Sequence, residues 1–141
     1  MDVLSSLQYR VNELRGREEM LRSAVSKLQK QIEELAQETQ NASNGRSGLS
    51  SALETLQTRT IAQRNALASR GSLAQILTSL TDSVGRETQA QISNASNAME
   101  TARRKEAELR SELECQQRQL DSVRSQIADV EYSISITEAE E

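Results

Sequence analysis

From Leu4 to Ala42 the apolar residues recur at alternating intervals of three and four. Counting Leu4, Val11, Glu18, Val25, Ile32 and Thr39 as heptad position a places Leu7, Leu14, Leu21, Leu28, Leu35 and Ala42 at position d. The rhythm holds for about six heptads, beyond the three or four at which a coiled coil is the favoured reading. It predicts a helix over about 3–42. A second heptad series occupies about 86–138. Ile92, Met99, Glu106, Leu113, Leu120, Ile127 and Ile134 take a, and Ala95, Ala102, Leu109, Gln116, Val123, Val130 and Thr137 take d.

Between these segments the pattern weakens. "NASNGRSGLSS" (41–51) gathers small, polar and flexible residues around Gly45 and Gly48, which predicts a turn at 43–48. Ser51 and Glu54 resemble a capping box that restarts a helix there. Two shorter helices are expected, over about 49–69 and 73–84. Gly71 ends the first of these, and Ser72 with Gln75 caps the second. Leu73, Ile76, Leu77, Leu80 and Val84 form an amphipathic patch one residue out of phase with the last segment, so a turn, kink or stutter is expected near Gly85.

The fold class is all-α. A long antiparallel coiled-coil hairpin is the first expectation, and an up-down-up three-helix bundle, with 49–84 returning between two long helices, is the second. Val and Ile at a with Leu at d suit a parallel dimer. The flanking charges oppose one, because a parallel homodimer sets Arg10 against Arg15 and Arg17 against Arg22. The first helix is therefore expected to pair with a different helix. Antiparallel pairing with the last segment brings Arg15 near Glu131. A register shifted by seven instead matches two polar seam residues, Glu18 and Gln116, and the sequence does not choose between them.

Composition narrows the chemistry. The 141 residues contain two tyrosines (Tyr9 and Tyr132), one cysteine, and no Trp, Phe, Pro or His. Apolar residues make up 35%, against roughly 45–50% in ordinary globular chains, so thin helical seams replace a thick core. Without His there is no imidazole base or ligand, and Cys115 falls on the outer face beside Glu112 and Glu114, where nothing favours a thiolate. Neither an enzyme nor a cofactor or metal site is expected. The acidic pairs around Glu18, Glu33, Glu106 and Glu112 read as solvated helix faces. Net charge is −4, and the basic patch Arg10, Arg15, Arg17 and Arg22 is interleaved with Glu13, Glu18 and Glu19, so nucleic acid is not an expected partner.

Two "NASN" segments, 41–44 and 94–97, match the N-glycosylation pattern, but a close crossing of helices at Ala42 and Ala95 explains them as simply. The start of the chain shows no basic-then-apolar leader, and no run is long enough to span a bilayer. Cytoplasmic residence is expected, or secretion without a classical signal.

The stretch "LSSLQYRVNELRGREEMLRSAVSKLQKQIEEL" (4–35), followed by "NGRSG" (44–48) and a long second arm, resembles the small helical-hairpin proteins of type VII secretion, above all the YwqH-like members that accompany LXG-type toxins. The resemblance implies a helical hairpin that pairs with another helical protein or a toxin's helical domain and supports its export. Those proteins carry a Trp-x-Gly turn, whereas this chain has no Trp, so no functional residue is carried over.

The functional expectation is a non-enzymatic coiled-coil interaction protein that pairs with a helical partner as adaptor, chaperone or targeting factor. A structural subunit of a filament or large assembly is the alternative. The expected partner-binding seam comprises Leu4, Leu7, Val11, Leu14, Leu21, Val25, Leu28, Ile32, Leu35, Leu109, Leu113, Leu120, Val123, Ile127, Val130 and Ile134. Arg10, Arg15, Arg17 and Arg22 would select the partner by charge. The patch at 73–84 offers a second docking face, for a partner groove rather than a membrane, since only Arg70 and Arg86 lie near it.

Overall fold

The computed structural model describes residues 2–140, and among them there are two helices, α1 (Val3–Ala66) and α2 (Gly71–Glu140). They pack on one another as a helical hairpin whose single reversal lies at 67–70. The hairpin expectation holds, and the three-helix bundle does not. Two units are distinguished by their packing: residues 1–34 with 106–141, and residues 35–105.

The expected turn at 43–48 is helical, as is the region of Gly85, so 43–48, 49–69, 73–84 and 86–138 are not separate elements. The reason is the seam. Counting in sevens from Thr39 reaches Arg46, Leu53 and Thr60, and from Ala42 reaches Leu49 and Leu56; all of these are half-buried or buried. Two helix-interior glycines cost about 1 kcal/mol each. A turn at 43–48 would take Leu49, Leu53 and Leu56 off that seam, each worth on the order of 1 kcal/mol when half-buried. Local side-chain bonds also support the helix there: Gln37 Nε2 donates to Asn41 Oδ1 (3.0 Å) and Gln40 Nε2 to Asn44 Oδ1 (3.1 Å). None of the glycines has positive φ. The "NGRSG" of the family resemblance accordingly sits inside α1.

The reversal uses no left-handed residue. Leu67 N–H donates to Gln63 O and Arg64 O, Ala68 N–H to Asn65 O, and Arg70 N–H to Leu67 O at 2.8 Å, so α1 tightens into its turn. Arg70 O accepts from Leu73 N–H (3.0 Å) and Ala74 N–H (3.1 Å), which starts α2. Gly71 is thus the first residue of α2 and does not end α1. At the other end of α1, Asp2 Oδ1 accepts the Ser5 N–H at 2.7 Å, a side-chain cap. That hydrogen bond holds the Asp2 carboxyl below its ordinary value.

In the first unit Val11, Leu14, Val123 and Ile127 form a buried cluster, with Leu21, Val130 and Ile134 packed against it. Val25, Leu28, Ile32 and Leu120 are buried as well, and they continue the a and d positions. Arg15 Nη2 lies 2.6 Å from Glu131 Oε1. The unit therefore adopts the Arg15–Glu131 register and not the one matching Glu18 with Gln116.

The second unit is built from smaller and more polar residues. Thr60 is buried; its Oγ1 donates to Leu56 O (2.8 Å) and lies 2.9 Å from Thr81 Oγ1. Arg46 Nη1 donates to Ser96 Oγ at 3.3 Å. Met99 is the large, nearly fully enclosed side chain of this unit. Leu53 packs beside Gly85, where a Cβ would stand in ordinary contact with its Cδ1 at 3.5 Å.

Candidate interaction surface

The residues expected to bind a partner are, in the first unit, occupied with each other. Val11, Leu14, Val25, Leu28, Ile32, Leu120, Val123 and Ile127 are buried, and Leu4, Leu7, Leu21, Leu109, Leu113, Val130 and Ile134 are half-buried. In the second unit, Leu35 is half-buried. The helix that covers the first-segment seam is the last segment of the same chain.

Of the four arginines, Arg15 alone is bonded across the first unit, to Glu131. Arg10 pairs with Glu13 (3.6 Å) and Arg22 with Glu18 (4.0 Å), one turn away on α1, and Arg17 is exposed. The two seam glutamates, Glu18 and Glu106, are satisfied in the same local way. Glu106, whose side chain is 19% exposed, accepts from Arg110 Nε (3.2 Å) and Nη2 (2.8 Å). A seam glutamate that finds its cation on its own helix requires no particular residue opposite. That explains how Glu18 and Gln116 can stand out of register with each other.

Cys115 is exposed and accepts a weak hydrogen bond from Gln119 Nε2 (3.7 Å). Among the described residues, no group of three or more His, Cys, Asp or Glu could hold a metal, and no helix is long and apolar enough to cross a membrane.

The start of α2 presents a different picture. Here the side turned to α1 carries Ala74, Thr78, Thr81, Gly85 and Thr88, all half-buried. Thr78 Oγ1 donates back to Ala74 O at 2.9 Å, which satisfies the hydroxyl within its own helix. The large apolar residues lie on the adjacent stripe. Leu73, Ile76, Leu80 and Val84 are 46%, 56%, 61% and 47% exposed, and Leu77 is half-buried. The phase difference that suggested a turn or stutter near Gly85 thus has another cause: α2 runs through unbroken and carries two stripes, a small and polar one facing α1 and an apolar one facing solvent.

Comparison with protein-family models, curated proteins and solved structures finds no match to this chain.

The outward stripe differs from ordinary surface apolarity. Val3, Tyr9, Met20, Ile61, Tyr132 and Ile136 are also exposed, singly or at most as a pair, but the four at 73–84 recur at intervals of three and four over about three turns of one helix face. A single exposed Leu needs no explanation, whereas an aligned row is the form in which helices recognise helices. The concavity beside it, about 440 Å³ and lined by Ser72, Gln75, Ile76, Ser79 and Leu80, is shallow and open to solvent. It can receive the ridge of another helix but does not enclose a small ligand. Sequence reasoning found this patch. It missed the Thr60–Thr81 contact, whose signal was the count in sevens from Val11 to Thr60.

Proposed function

We propose that the protein is a non-enzymatic coiled-coil interaction protein that engages a helical partner through the outward face of α2 at 73–84. The hairpin uses its own long seam to hold that face in place. One observation carries the reading: Leu73, Ile76, Leu80 and Val84 are exposed in a row, while the adjacent stripe of the same helix segment, about one residue round, is packed with Ala, Thr and Gly. Turning this part of α2 by one residue would bury the leucines, yet the Thr60–Thr81 hydrogen bond and the Leu53–Gly85 contact belong to the observed phase. Burying a Leu-sized side chain stabilises by roughly 1.5–3 kcal/mol, so the row is a substantial driving force for docking. Adaptor, chaperone and targeting roles, including support for a toxin's export, are ways of using such a face. So is a structural role in a larger assembly.

The test is site-specific photo-crosslinking. A benzophenone side chain at position 80 should capture a helical segment in good yield, while the same group at exposed Gln119 should not. Equal background yields from the two positions would remove the reading.

A further inference from the structure

Resting on that docking face, we propose that its occupant is the same face of a second copy, laid antiparallel about a two-fold axis. Leu73, Leu77, Leu80 and Val84 recur at intervals of four, three and four, the rhythm of a coiled-coil seam in its own right. Three residues before the stripe stands Arg70, the last residue of the reversal, whose carbonyl starts α2, and three after it stands Glu87 within the helix. The stripe thus has a cation at one end and a carboxylate at the other, equally far from its centre between Leu77 and Leu80.

That spacing is self-complementary only in the antiparallel sense. About the two-fold, Leu73 meets Val84 of the second copy, Leu77 meets Leu80, and Arg70 meets Glu87; each pairing occurs twice, as an isologous interface requires. A parallel arrangement would oppose Arg70 to Arg70 and Glu87 to Glu87. Between the two ends the seam holds no charge, and the flanking Ile76 and Ser83 are neutral, so no like charges meet within it. This contrasts with the start of α1, where self-pairing opposes arginines. Arg70, Glu87, Leu73, Leu80 and Val84 are exposed and accessible to a second copy, and half-buried Leu77 offers it the part of its side chain that α1 leaves uncovered, with exposed Ile76 beside it. The seam is short, which sets the dimer in the micromolar range rather than below it.

The experiment is light scattering behind size exclusion from low to several hundred micromolar, with helicity recorded for every sample. The wild-type chain should pass from monomer to dimer. Arg70→Glu and Glu87→Arg should each weaken the dimer about tenfold, since each replaces two attractive contacts by two repulsive ones. The double variant R70E/E87R should regain wild-type dimerisation, and Leu80→Asp should remove it with helicity retained. Rescue by the double reversal identifies the antiparallel pairing, because a merely structural role for either residue would make the losses add. A wild-type monomer at every concentration would overturn the proposal, as would a dimer indifferent to all four variants. If that monomer still gives a strong crosslink from position 80 to a foreign helix, the docking face survives and only its occupant is wrong. If position 80 also gives background yields, both fall.

Discussion

Leucines 14 and 80 make a direct test of the side on which α2 meets α1. Leu14 is 0% exposed within the cluster of Val11, Val123 and Ile127, whereas Leu80 is 61% exposed. Truncating Leu14 to Ala removes most of a fully buried side chain and leaves a cavity, which costs about 3–5 kcal/mol. Truncating Leu80 removes a side chain of which about four-tenths is out of water. On a scale of roughly 1.5–3 kcal/mol for full burial, that sets a ceiling of about 1 kcal/mol. Ala's slightly better helix propensity lowers the net cost further. Urea unfolding followed by helical circular dichroism, at sub-micromolar protein so that no dimer contributes, measures both. The midpoint shift should be several times larger for Leu14→Ala, with the slope unchanged. Equal costs would mean that Leu80 is packed inward and α2 is rotated from the phase described, and the reasoning about its outward face would then be wrong.

Gly45→Ala and Gly48→Ala should each stabilise the chain by about 0.5–1 kcal/mol, since both residues are helical with open space where a Cβ would stand; loss of stability would restore the turn at 43–48. Thr60→Val alone should cost about 1 kcal/mol, and T60V/T81V should recover most of it. A double-mutant cycle by chemical denaturation measures the coupling, and strict additivity would refute the hydroxyl pair. Glu131→Gln should cost less than about 1 kcal/mol, an effect that fades in high salt because the side chains of the Arg15 pair are 60% and 48% exposed. Asp2 has a folded-state pKa below the ordinary 3.8, so its cap contributes fully above that value and is lost as pH falls through the folded one. Amide exchange at Ser5 should therefore accelerate in acid after intrinsic rates are allowed for, and Asp2→Ala should abolish that extra dependence.

The parts of the fold legible in the sequence are those where apolar residues alone mark the phase. Leu4 to Leu35 and Leu109 to Ile134 announce their seams, and the Arg15–Glu131 contact was one of two registers that charge and polarity allowed. What local signals misplaced was the reversal. Gly45, Gly48 and the neighbouring Asn and Ser weaken a helix by fractions of a kcal/mol to about 1 kcal/mol each. Such preferences yield when residues on both sides stay in phase on one seam, as Ala42, Leu49, Leu53 and Leu56 do. The actual turn at 67–70 has no proline and no left-handed glycine, and only the thinning of apolar residues on the seam, from Leu56 through Thr60 to exposed Gln63, marks its approach. The candidate surface was legible as an amphipathic patch. Its orientation was not, because a row of leucines in a sequence reads as a side to be buried, and nothing in the string says which of two stripes on one helix wins.

The two stripes of α2 also bear on why the second unit is built as it is. Thr at the positions facing α1 makes a poor hydrophobic contact, and a packed interface of Leu there would be stronger. A helix with Leu on both sides, however, would have two competing ways to meet α1, one of which hides the docking face. Placing Thr78, Thr81 and Gly85 on the inner side gives each phase a different partner set. The hydroxyl of Thr60 finds Thr81, the methyl groups of Leu53 find the space at Gly85, and neither contact is available if α2 turns by one residue. The inner seam thus specifies an orientation more than it supplies energy, a role that polar seam residues fill elsewhere in coiled coils at some cost in stability. The consequence is directional: replacing Thr78 and Thr81 together by Leu should strengthen the helix pair yet weaken its specification. A chain so altered that lost its association at 73–84 would show that the weak inner seam exists to keep the outer one outside.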